Sequence, residues 1–147
     1  MTSVARDTNV FTDAWNAIYG KLSSISDPGG KSKWIYSAFP ESEIDKKQAY
    51  PLIVISPIEV SADRVTFNGV KSGPLRVIID IYSTKASELD SLSDQVTETL
   101  INNEKNLVVS GVYGLRLVSS AYSNYSRNAL RIHNKSLNYE FTYVWYP

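Results

Sequence analysis

The chain has no cysteine and only one histidine in 147 residues. Without cysteine, disulfides and thiolate metal sites are excluded. With His133 alone, no second imidazole exists to complete a histidine-based metal site within one chain. Net charge is zero, so the chain as a whole carries no electrostatic bias toward nucleic acid or an anionic membrane. No apolar run approaches the ~20 residues needed to span a bilayer. Residues Met1 to Arg6 lack the charged start and apolar stretch of a secretion signal, so a cytoplasmic site of synthesis is expected. The glycine-rich and nucleophile motifs are missing as well. Gly111-Val112-Tyr113-Gly114 has neither the length nor the lysine of a phosphate-binding loop, and Gly-x-Ser-x-Gly does not occur. Asp90 and Asp94 stand one helical turn apart on a polar face, where carboxylates are ordinarily solvated, and His133 sits among Arg131 and Lys135 as a surface residue. Nothing here supports an enzyme, and no cofactor is implied.

Aromatic residues are abundant by contrast: ten Tyr, four Phe and three Trp. Tyrosine suits half-buried strands and also wet interfaces, since its ring is apolar and its hydroxyl still reaches water. A tyrosine-rich sheet and an assembly surface both account for the count. Charge is unevenly placed. From Lys105 onward the basic residues are Lys105, Arg116, Arg127, Arg131 and Lys135 against Glu140 alone, which makes this segment +4 and residues 1 to 104 −4.

The strongest pattern lies near the C-terminus. Leu137, Tyr139, Phe141, Tyr143 and Trp145 occupy alternate positions with Asn138, Glu140 and Thr142 between them. Successive side chains of a strand point to opposite faces, so this spacing predicts one wholly apolar face that other elements must cover. Helical spacing of Phe11, Ala14, Trp15, Ile18, Leu22 and Ile25 predicts one covering helix over 9–25, capped by Thr8 or Asn9 and stopped by Asp27-Pro28-Gly29-Gly30. Leu89, Leu92, Val96 and Leu100 predict a second over 84–104, ending at Asn102-Asn103 and carrying Glu88, Asp90, Asp94 and Glu98 on its remaining surface.

Strands are expected at 33–39, at 51–57 (buried on both faces), at 74–83 and at 112–122, with a bulge at Gly114. Val65 to Val70 reads as a short hairpin around Asn68-Gly69, and 41–49 as a polar loop. Leu107 to Val109 leads into the fourth strand, and 123–134 reads as a long loop or ragged strand extension. The expected fold is α+β, a mixed, mainly antiparallel sheet with two helices on one face, forming a single domain over residues 1–147. The other sheet face then presents Tyr, Ser, Thr and Arg to water or a partner.

The helix, then Tyr50-Pro51-Leu52-Ile53-Val54-Ile55, then Arg76 to Ser83 running into the acidic helix, then Leu137 to Tyr143 together resemble the tail terminator (tail completion) proteins of long-tailed phages and related viruses. The likeness covers almost the whole chain in size and element order. It implies a non-enzymatic virion protein, assembled in the host cytoplasm, that forms a ring, typically a hexamer. Such a ring caps the finished tail tube, ends its growth and meets the head connector, while double-stranded DNA passes through the lumen unread. Tail tube protein and a head-completion or connector protein are the implied partners, with no membrane. Residues suggested for subunit or tube contacts are Arg127, Arg131, Lys135, Tyr143, Val144 and Tyr146, with the acidic helix facing solvent or lumen. The alternatives are another neck or head-completion subunit, or a small-ligand-binding α+β domain with a deep apolar pocket between sheet and helices.

Overall fold

A computed structural model describes residues 10–40, 49–60, 66–68, 71–127 and 129–144. The expected caps Thr8 and Asn9, the polar loop 41–48, and Trp145, Tyr146 and Pro147 lie outside the described residues. In chain order the elements are α1 (Val10–Leu22), β1 (Ile35–Tyr36), β2 (Leu52–Ile55), β3 (Glu59–Val60), β4 (Thr66–Asn68), β5 (Lys71–Ser83), α2 (Ala86–Asn102), α3 (Glu104–Val109), β6 (Val112–Arg127) and β7 (Leu130–Val144). The strands make one sheet of order β1-β2-β5-β7-β6, with β3 and β4 pairing β5 on the side that β2 also uses. Among the described strands only β1 and β2 run parallel; every other pairing is antiparallel. This is the mixed, mainly antiparallel α+β architecture expected from the sequence.

The alternation in β7 explains its central place. Leu137, Tyr139, Phe141 and Tyr143 are all buried in the main core. They meet Leu75, Val77, Ile79 and Ile81 from the same face of β5, and the stripes Ala14, Ile18, Leu22 of α1 and Leu89, Leu92, Val96, Leu100 of α2 close over them. Trp15 fixes α1 to the sheet by donating its indole N–H to the Ile55 carbonyl at 3.2 Å. After α1, the Asp27 carboxylate accepts the backbone N–H groups of Gly29 and Lys31, and Gly30 turns the chain at φ +71°. That is the stop the Asp-Pro-Gly-Gly run predicts.

Four features differ from the sequence reading. Leu107 to Val109 is helical, not the start of a strand: Val96, Leu100 and Leu107 are spaced 4 and 7 apart, so Leu107 continues the buried stripe of α2 beyond Asn103. The described residues therefore hold three helices rather than two. Segment 123–134 is a regular hairpin, with β6 and β7 paired in unbroken register from Ser119↔Asn138 to Arg127↔Leu130. Its two-residue loop places Ala129 at φ 65°, a conformation that glycine adopts more easily. The strand expected at 33–39 shortens to Ile35–Tyr36. Finally, the sheet face away from the helices is not wholly open. Tyr50, Leu52, Val54 and Ile132 form a second buried cluster there, flanked by Tyr36, Phe39, Tyr82, Tyr125 and Leu130.

Other expectations hold. All four residues of β2 are buried, Gly114 adopts φ 66° within the register shift between Tyr113 and Arg116, and β4 pairs β5 from Asn68↔Lys71, the intervening 69 and 70 being undescribed.

Core and edge should respond unequally to truncation. Phe141→Ala, at 1% exposure, is expected to cost about 3–5 kcal/mol in urea unfolding. Leu117→Ala on β6, at 44% exposure, should cost about 1 kcal/mol or less.

Candidate functional site

The sheet is wider than its helical cover. β6 closes one end of it and, among the described strands, pairs only with β7. Apart from its first residue, Val112, it is exposed or half-exposed along its whole length. Free edges are ordinarily blunted by charge, proline or a bulge, because unpaired backbone groups are a template for another strand. β6 carries register shifts only in its first half, between Tyr113 and Arg116 and between Leu117 and Ser119. From Leu117 to Ser126 it has no charged residue and no proline.

Apolar side chains line this edge. Tyr113, Leu117, Val118 and Tyr122 are exposed, as are Ile101 of α2 and Val109 of α3, at 64% and 80%. Between α2 and β6 a depression of about 270 Å³ is lined by Thr97, Leu100, Ile101, Leu115, Arg116, Leu117 and Tyr139. Tyr139 forms part of its wall, its hydroxyl 3.0 Å from the Thr97 hydroxyl. A second depression of the same volume opens at the other end of the sheet, lined by Phe11, Thr12, Trp15 and Asn16 of α1 with Ser37, Pro57 and Ile58. Neither lies between the centre of the sheet and its helices, where core residues are packed to near-zero exposure. Sequence reasoning missed both places: Phe11 and Trp15 read as part of the covered stripe of the first helix, and strand period alone does not tell which residues of β6 are left without a helix over them.

The suggested contact residues are scattered. Tyr143 is a correction: it lies on the helix-covered face of β7, at 6% exposure, and has no free surface to offer a neighbour. Val144 ends β7 opposite Lys71, and Tyr146 lies outside the described residues. Lys135 is ion-paired with Asp90 at 2.8 Å. Arg131 is exposed and donates to the Asn124 side chain at 2.9 Å. Arg127 ends β6, half-exposed, at the hairpin loop.

The charge asymmetry is partly cancelled inside the fold, since Lys135 pairs with Asp90 across the two segments, while Arg116 pairs with Glu140 within the basic one at 3.1 Å. Of the four carboxylates on α2, Glu88 accepts from the Ser83 hydroxyl and Asp90 from Lys135. Asp94 and Glu98 remain exposed. His133 is half-exposed and its Nδ1 is 2.6 Å from the Tyr122 hydroxyl, with the two rings stacked. Tyr122 and His133 thus belong to a cross-strand surface pair on the hairpin. Among the described residues no group of three or more metal-ligating side chains comes together, and no helix is long and apolar enough to cross a membrane.

Two tyrosines are held neutral by the fold. Burial raises Tyr139, partly offset by its bond to Thr97. Tyr82 is raised well above the ordinary tyrosine range by burial first, then by Asp80, Tyr125 and Tyr50 around it. In the unfolded chain both ionise near pH ~10. Above that pH the unfolded state loses protons that the native state keeps, so stability is intact below pH ~10 and declines as pH rises beyond it. Urea midpoints should therefore fall between pH 9 and pH ~11, and Tyr82→Phe should flatten that fall. An unchanged pH slope in Tyr82→Phe would contradict the account.

Comparison with known protein families and with curated proteins finds no match for this chain.

Proposed function

We propose that this chain is a structural, non-enzymatic assembly protein of the tail terminator kind: a virion protein of the tail and neck that forms a homo-oligomeric ring, closes the end of the tail tube and joins it to the head connector. The observation that carries an assembly role is the edge strand β6, uncharged over Leu117 to Ser126, with Leu117, Val118 and Tyr122 exposed on it and Ile101 and Val109 exposed on the helices before it. A solitary protein gains nothing from such an edge and risks uncontrolled pairing. In an assembly the same surface is buried by a neighbour. The likeness in element order and strand strings to tail terminators supplies the context: self-association, typically into six copies in that family, with tail tube protein on one side, a head-completion or connector protein on the other, and double-stranded DNA passing through without sequence reading.

The resemblance and the edge argue in the same direction from different grounds. Ring formation needs heterologous contacts, in which one surface of each copy meets a different surface of the next. The domain has apolar depressions at both ends of its sheet, which is compatible with that requirement.

The test is polymerisation of the tail tube protein of the same virus with and without this chain. Capped tubes of limited length, each with a ring at one end in electron micrographs, are expected. Tubes that grow to the same lengths with no protein at their ends would overturn the terminator reading.

A further inference from the structure

Every large hydrophobic residue exposed among the described positions falls in one of two groups. Phe11 and Tyr19 belong to α1; Ile101, Val109, Tyr113, Leu117, Val118 and Tyr122 belong to α2, α3 and β6. The sheet order β1-β2-β5-β7-β6 puts these groups at opposite ends of the molecule. On α1, Phe11, Trp15 and Tyr19 are spaced by four and so form one continuous stripe, with the Trp15 and Tyr19 rings stacked at 5.1 Å. That stripe runs beside Pro57 and Ile58 after β2. At the far end, Ile101 and Leu117 form the two walls of the depression between α2 and β6.

The cation that lines the α2–β6 depression, Arg116, is already paired with Glu140, and the acidic groups beside it are opposite in sign to the cation beside the α1 stripe. Exposed Lys33 lies next to Tyr19, at the end of the α1 stripe, its ammonium 5.1 Å from the Tyr36 ring centre. Asp94 and Glu98 are exposed on α2. Asp94 precedes Thr97 by three residues and Ile101 by seven, which puts it on the side of the helix that borders the depression. An isologous dimer through either surface would set like charges together and leave the other apolar surface open.

We infer that the occupant of the α2–β6 surface is a second copy of this chain, docking there through its Phe11–Trp15–Tyr19 stripe with Lys33 facing Asp94 and Glu98. Each copy then offers one donor surface and one acceptor surface, and the contact repeats head to tail. This deepens the ring reading, and rests on it for closure of the repeated contact into a ring. Leu117 and Phe11, each 44% exposed, are the groups whose replacement separates docking from folding.

The experiment uses Phe11→Glu and Leu117→Glu, alone and mixed in equal amounts, with masses read by analytical sedimentation and folding checked by circular dichroism. Each variant alone should be folded and monomeric, its dissociation constant raised roughly 30-fold or more by loss of a buried anchor. The mixture should give a dimer and nothing larger, because Phe11→Glu keeps an intact α2–β6 surface and Leu117→Glu keeps an intact α1 stripe. A second pair, Lys33→Glu and Asp94→Lys, should each weaken association alone and recover it when combined in one chain. The inference is overturned if Phe11→Glu assembles like the wild type while Leu117→Glu does not, the mark of an isologous contact. It is also overturned if both variants still assemble, in which case a ring stands on other surfaces. A wild-type chain that stays monomeric at high concentration overturns the docking as well, and the tube-length assay then decides the terminator reading separately.

Discussion

Strand β7 is the constraint on which the rest depends. It lies between β5 and β6 and pairs along nearly its full length with both. Its alternate residues Leu137, Tyr139, Phe141 and Tyr143 are the floor on which α1 and α2 sit. Period-two alternation forbids a slip of such a strand by one residue, which would turn the whole apolar row to the wrong face. With β7 pinned, β5 must present Leu75, Val77, Ile79 and Ile81 to the same side, and the helices follow. The opposite side gains its own small core where Ile132 of the β7 extension reaches Tyr50, Leu52 and Val54.

The same strand creates the exposed edge. β7 holds β6 in the sheet by backbone pairing, while the described helices bury little of β6 apart from Val112. Backbone pairing thus carries the sheet further than side-chain packing covers it. The surplus is an apolar margin at one end, and α1 leaves a comparable margin at the other through Phe11 and Tyr19. The fold is closely packed through its centre and carries exposed apolar margins at its ends, and the proposed assembly role rests on those margins.

Much of the centre was legible in the sequence because period and burial coincide there. The β7 row, the α1 and α2 stripes and the doubly buried β2 all show regular spacing. What escaped is instructive. Leu107-Val108-Val109 looks like strand by composition, and only its distance from Leu100 reveals the helical continuation. The β6–β7 turn has Ala129 where a glycine would have announced a hairpin, so the strand extension read as loop. The second cluster joins Tyr50 to Ile132 across the sheet, a pairing that no local pattern encodes. At the candidate site, Tyr143 is suggested as a contact residue and is core, whereas Leu117 and Val118, placed on the fourth strand with no face assigned, are exposed. Alternation identifies a strand's two faces but not whether any helix arrives to cover them.

The central claim is that the two sheet ends cover each other in the assembled protein. Hydrogen–deuterium exchange of the wild-type chain, compared between dilute and concentrated solution, tests it most directly. The account predicts concentration-dependent protection in two places: the α2–β6 end around Ile101 and residues 113–122, and the α1 end around Phe11 to Tyr19 with Ile58. Protection confined to one end, or appearing instead on the sheet face that carries Arg76, Asn138 and Thr142, would contradict it.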